Sequence, residues 1–277
     1  MLINLVPEFL DVLRSPHAES AYRHYHDSHR LILDAYWRNY VLDPDSAPAT
    51  DVVRHALRAD RRDLVALLER VDLEAIVEDA MARAHDVLRL DRAFDVYLMV
   101  GMGAANAGEL VVNGRGAAFI CIEHFTGRVN PDSYGLGLSP ALIPLWVAHE
   151  LAHVARYTSP TSRSDIARLV WEAHGAFDCW AIASRATLRE QLVNEGLAVH
   201  AAQAVAPGAA AADYFGYPRR QYQRLRELGV IPERSGYYLG WRMTEAIVAE
   251  RGIAEALRAS ATECRAAEEK ASGVRTA

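Results

Sequence analysis

The chain has 277 residues, long enough for one large domain or two small ones, and its 51% hydrophobic content is that of a globular protein, not a disordered one. With 30 basic against 36 acidic residues the net charge is −6, which argues against a nucleic-acid partner, since such binding needs a basic surface. Its 3 cysteines, Cys121, Cys179 and Cys264, form no C-x-x-C pair; this excludes a zinc finger or a thioredoxin-type motif and fits a reducing compartment.

The opening Met1-Leu2-Ile3-Asn4-Leu5-Val6-Pro7-Glu8 lacks a basic region and is broken by Pro7, so a signal peptide is not expected. No run of about 18 apolar residues occurs, so no membrane partner is expected and the predicted location is cytoplasmic. Residues 8 to 90 read as helical. Leu31, Ile32, Leu33, Ala35, Tyr36 and Tyr40 give one apolar stripe and Leu64, Val65, Leu67 and Leu68 another. Asp43-Pro44-Asp45-Ser46-Ala47-Pro48 breaks the pattern as a loop, and Asp72 is placed to cap a further helix. His24, His26 and His29 do not share one helical face and are read as a solvated stretch, not a metal tract.

The period changes after residue 92. Phe94 to Val100 reads as a strand, and Glu109–Val112 and Ala117–Ile122 flank Asn113-Gly114, a strong hairpin signal. A small antiparallel sheet is expected, with the strand Ala117–Ile122 at its edge, where it can align an extended peptide by main-chain hydrogen bonds. Glu123 and His124 just beyond it are read as ordinary surface residues. Gly101-Met102-Gly103 lacks the remaining features of a phosphate loop and is set aside.

From Ala141 the chain reads as helical again, with Pro144 in a first turn and Ser159-Pro160 as the stop. Further helices are expected over Asp165–Ala183, from Thr187 to Ala206, over Gln221–Glu227 and over Arg242–Ala259. Thr187 and Glu190 form a capping-box pattern. The predicted organisation is a helical region over 1–92, a catalytic domain over 93–265, and a frayed tail over 266–277. The fold class is α+β, mostly helical.

His149-Glu150-Leu151-Ala152-His153 carries the chemistry. Residues four apart on a helix share a face, so both imidazoles project side by side, as two ligands of one Zn²⁺ must. Glu150 then sits at the rim as a base that is not itself a ligand. A catalytic zinc needs a third protein ligand. Glu172, His174, Asp178, Glu190, Glu195 and His200 are the downstream candidates. Glu195 has the best context: it lies in the otherwise apolar Leu192-Val193-Asn194-Glu195-Gly196-Leu197-Ala198-Val199, where an unpaired carboxylate would be costly. Gly196 beside it points to a close approach by another backbone or a ligand.

His149-Glu150-x-x-His153, with Asn194-Glu195-Gly196-Leu197-Ala198 downstream, resembles the gluzincin clan of zinc metallopeptidases. Within that clan, E-G-L-A and the later Gly236-Tyr237-Tyr238-Leu239-Gly240-Trp241 resemble predicted zinc-dependent protease families of unknown function. The resemblance covers about residues 94 to 245. It implies a zincin-like fold, a Zn²⁺ cofactor held by His149, His153 and Glu195, and Glu150 as general base in hydrolysis of a peptide or small amide substrate. It also implies a tyrosine or histidine after the third ligand that steadies the oxyanion. The two glycines around Tyr237 and Tyr238 suggest a tight turn, and Tyr238 is preferred over Tyr237.

Two departures from thermolysin-like members stand out. Glu195 lies 42 residues past His153 (195 − 153), so an extra helix must fit between the ligand helices. Val199 also occupies the position of a carboxylate that would orient a zinc histidine. That partner is expected from Asp165, Asp178 or a backbone carbonyl. Arg242 is assigned either to a substrate carboxylate or to an ion pair. Two other readings stay open: a non-haem Fe(II) oxygenase using the same His-His-Glu set, and a non-catalytic module of the same fold. Oligomeric state is not legible.

Overall fold

Residues 1–216 and 235–272 are described by the structure, a computed structural model. Short helices fill the N-terminal third: α1 (Val6–Arg14), α2 (Ala18–Ser28), α3 (Arg30–Tyr36), α4 (Ala47–Arg58), α5 (Arg62–Leu68) and α6 (Leu73–Leu88). α3 runs directly into a π-helical turn, Trp37–Val41. Asp72 does cap α6: its Oδ1 accepts from the Ala75 N–H at 3.0 Å, satisfying one of the orphan donors of the first turn.

The sheet differs from the expected antiparallel one. It has four strands in the order β1 (Leu2–Asn4), β2 (Phe94–Met99), β4 (Arg115–Cys121), β3 (Ala107–Val112). β1 and β4 both lie parallel to β2, and only β3 and β4 run antiparallel. The hairpin is local and legible, because Asn113 (φ 52°) and Gly114 (φ 75°) both take the left-handed backbone of a two-residue turn. The parallel pairings join strands far apart in sequence, which no local pattern announces. The strand expected at the edge, β4, is interior, and the edge strands are β1 and β3. A small second ribbon pairs β5 (Val129–Asn130) with β6 (Gly135–Leu136).

The long helix α7 (Ile143–Thr158) lies across this sheet, Pro144 in its first turn. It sits close on β4: a Cβ on Gly116 would meet Val154 Cγ1 at 2.4 Å. α8 covers only Asp165–Glu172, shorter than expected, because His174 (φ 56°) and Gly175 (φ 78°) turn the chain out of the helix. α9 (Leu188–Val205) follows, then α10 (Ala211–Tyr214), α11 (Ser235–Arg251), α12 (Ile253–Ala256) and α13 (Ala261–Ser272). The helix expected over Gln221–Glu227 lies outside the described residues. α13 carries the chain through much of the segment expected to fray, with Cys264 and Ala267 buried.

One large apolar core joins most of these elements, and a smaller cluster of Val111, Tyr157, Ile166, Leu169, Val170, Phe177 and Ile182 lies under α8. Leu5, Phe9, Leu33 and Trp37 from the N-terminal helical region join Val96, Phe119 and Ile120 of the sheet and Val147, Leu151 and Leu197 of α7 and α9. The fold is thus mixed α+β and mostly helical. Among the described residues no helix is long and apolar enough to cross a membrane.

Candidate functional site

α7 is buried on almost every side, including its polar residues: His149, Glu150 and His153 keep 2%, 4% and 2% of their exposure. Such a position is expensive for charged or polar groups unless something pairs with them. α9 crosses α7 and brings in Glu195. Its Oε2 lies 3.4 Å from His149 Nε2 and 3.7 Å from His153 Nε2. One ligand atom from each of the three lies within 4.8 Å of the others. Glu195 Oε2 and the Nδ1 atoms of both histidines have no hydrogen-bond partner among the described residues.

Beside Glu195, α9 is also packed closely against α11. A Cβ on Gly196 would fall 2.1 Å from the carbonyl carbon and oxygen of Gly240, and one on Gly240 would fall 1.9 Å from Leu192 O. α9 and α11 therefore touch backbone to backbone, the approach that Gly196 pointed to. Gly236 to Gly240 is not the tight turn expected; it is the first part of α11, and Gly240 serves the helix crossing.

A buried polar chain locks α7 and α9 together. Arg156, fully buried, donates from Nη2 to Glu190 Oε1 at 2.9 Å, from Nε to Asn194 Oδ1 at 3.2 Å, and from Nη1 to the carbonyls of Leu257 and Ala259. Glu190 is thus half of an internal ion pair. Thr187 caps α9, accepting from Glu190 N–H at 3.2 Å. Asn194 Nδ2 donates to Tyr157 Oη at 2.8 Å, and Tyr157 donates to Glu109 Oε1 at 2.9 Å.

Glu109, on β3, is the residue the sequence reading missed. Its carboxylate forms a second close group with Glu150 and His153, all three ligand atoms within 4.8 Å of one another. It is held by the hydroxyls of Tyr157 and Tyr40, the latter 3.0 Å from Oε2. The one available signal was an acidic residue opening an apolar strand, which is too common to single it out.

The electrostatics follow from burial and these neighbours. Burial, then the adjacent Glu109 carboxylate, pushes Glu150 well above the usual carboxylate range. Burial alone would lower His153, but Glu109, Glu195 and Glu150 outweigh it and raise the ring to about 10. His149, with less carboxylate around it, is lowered by burial. Burial would raise Glu195, yet the two imidazoles hold it well below its ordinary value. The pocket thus favours a carboxylate at 195 and a proton at 150.

Tyr237 places its ring 5.5 Å from that of His149. Tyr238, the preferred tyrosine, packs instead on Phe215 and Trp241, at 5.5 and 5.9 Å between ring centres. The two are separated because consecutive helical residues point about 100° apart. The other candidate ligands are engaged elsewhere: Glu172 with Arg168 and Arg185, and His200 with the Trp241 carbonyl. Neither aspartate expected behind the histidines is there. Asp178 accepts from the N–H groups of Trp180 and Ala181, and Asp165 lies 3.7 Å from Arg168. Arg242 pairs with Glu245 at 2.7 Å. Glu123 and His124 are buried at 1% and 2%, not on the surface, because the chain turns inward in a 3₁₀ turn directly after β4. His26 and His29 pair separately with Asp34 and Glu8.

No protein-family model, no curated protein and no solved structure matches this chain.

Proposed function

We propose that this protein is a zinc-dependent hydrolase of amide bonds, a peptidase in the broad sense, with His149, His153 and Glu195 holding the ion. The observation that carries this reading is the convergence of the three donor atoms within 4.8 Å, contributed by two helices and left without other bonds at Glu195 Oε2. Two imidazoles and one carboxylate are the donor set that zinc hydrolases use, with a position left for water. A zinc ion there supplies Lewis acidity and a nucleophile at neutral pH.

The remaining work falls to the chain. Glu150, next to His149 in the chain and close to His153 and Glu109, is the carboxyl that in its ionised form would take a proton from the attacking water. It then returns that proton to the leaving amine. Glu109, fixed by Tyr40 and Tyr157, sets where the Glu150 carboxyl lies. Tyr237, its ring beside that of His149, would be the tyrosine that donates to the developing oxyanion, in preference to Tyr238.

The test is elemental analysis of protein purified without a metal-binding tag, alongside Glu195→Ala and Glu150→Gln. One zinc per chain in the wild type and in Glu150→Gln, lost in Glu195→Ala, with peptidase turnover only in the wild type, is the expected result. Iron in place of zinc would move the reading to oxygenase chemistry, and no metal would end it.

A further inference from the structure

In an antiparallel ladder alternate residues turn their N–H and C=O groups away from the partner strand. On β3 the residues facing away from β4 are Ala107, Glu109 and Val111, and this outer edge is where a peptide would add as a further strand beside Glu150. At Glu109 and Val111 it is already in use. Tyr40 Oη accepts from the Glu109 N–H at 3.0 Å and lies 2.9 Å from the Glu109 carbonyl oxygen. The Val111 carbonyl accepts from the Phe177 N–H at 2.9 Å, and the Gly114 N–H donates to the Gly175 carbonyl at 2.8 Å.

Three local features build this seal. Gly108 makes room for it, since a Cβ there would fall 2.5 Å from Tyr40 Cζ. The π turn Trp37–Val41 brings both Asn39 and Tyr40 to the edge of the sheet. Asn39 then clamps the loop beyond α8: its Oδ1 accepts from the Cys179 N–H at 2.7 Å, and its carbonyl accepts from Cys179 Sγ at 2.9 Å. Two segments about 140 residues apart thus cap one strand edge, so the closure is tertiary and not an accident of one loop.

We infer that the outer edge of β3 is closed to strand addition and that the site takes a compact amide, a short peptide or small-molecule amide, in place of an extended polypeptide. The choice of an amide rests on the hydrolase reading; the closed edge does not.

Amide hydrogen exchange on the full-length protein tests the edge directly. The Glu109 N–H is expected to be protected in the wild type and to exchange about tenfold or more faster in Tyr40→Phe. Hydrolysis of a blocked peptide series from two to eight residues tests the substrate. Its kcat/KM is expected to vary by less than about threefold with length and to tolerate N-methylation away from the scissile bond. An unprotected Glu109 amide in the wild type overturns the inference. So does a rise of about tenfold or more with length that N-methylation abolishes. Zinc-free protein, or no hydrolysis of any member, removes the hydrolase reading while the exchange result still decides the edge.

Discussion

Gly196→Ala puts two opposed effects at one position, directly beside the candidate metal ligand Glu195. Replacing a helical glycine by alanine ordinarily stabilises by about 1 kcal/mol, through the unfolded chain's lost freedom. Here the added Cβ would lie 2.1 Å from the Gly240 carbonyl group and 2.6 Å from the Trp241 nitrogen. Ordinary contact needs about 3.5 Å, so α9 and α11 must separate by roughly 1.5 Å. Both obstacles are backbone, with no flexible side-chain end to swing aside. Overpacking of this kind costs about 1–3 kcal/mol, so the net expectation is a loss of up to about 2 kcal/mol in place of a gain. The separation also shifts Glu195 against His149 and His153, which α7 holds independently. A loss of zinc affinity of about tenfold or more is therefore expected. Urea unfolding of metal-free protein reads the first quantity, and competition with a chelator reads the second. Gly236→Ala is the control: among the described residues its Cβ would meet only Leu192 Cδ2, at 3.6 Å, and it should leave stability unchanged or slightly raised. A Gly196→Ala protein as stable as the wild type, with unaltered zinc affinity, would refute the argument that backbone contact between these helices positions Glu195.

Arg156→Met strands Glu190 in the interior without its partner and should destabilise by about 3–5 kcal/mol in urea unfolding, whereas Arg156→Met combined with Glu190→Leu should recover most of that loss. Zinc at a hundredfold excess over its Kd should add about 2.7 kcal/mol to the stability of the wild type, measured as a chelator-reversible rise in Tm, and nothing to Glu195→Ala. The Arg115 guanidinium holds the Asp95 carboxyl below its usual range, so the folded state releases that proton more readily than the unfolded one. The stability this confers is present above about pH 4 and is lost as pH falls below it, and Asp95→Asn should flatten that part of the acid unfolding profile. An unchanged slope in that variant would show that the ion pair does not couple to folding.

Much of the candidate site is legible from local chemistry. The four-residue spacing of His149 and His153 fixes their common face on any helix, whatever it packs against. Glu195 stands out as a carboxylate in an apolar helix, and Gly196 as a helix-weakening residue that must serve a contact. The Asn113-Gly114 turn and the Asp72 cap are equally local, since each depends on the backbone preferences or hydrogen bonding of neighbouring residues. Tyr237 and Tyr238 mark the limit of that reading. Adjacent residues of one helix differ only in direction, and the direction of the site is set by how α11 lies on α9.

What the amino-acid sequence determined by itself was therefore the chemistry of the candidate site: two imidazoles on one helical face, a neighbouring carboxyl group, and a second carboxylate with reason to be paired. Tertiary structure decided everything that rests on distance along the chain. It brought Glu109 from the sheet to Glu150, buried Arg156 between α7, α9 and the carbonyls of Leu257 and Ala259, and made β3 an edge strand in place of β4. It also sealed that edge with Tyr40 and the loop at Phe177. The division has one physical cause. Helical periodicity, caps and turns are set by residues a few positions apart and leave a pattern in the sequence. A buried hydrogen bond between residues 69 or 138 positions apart leaves none, because either partner by itself looks like an ordinary polar residue.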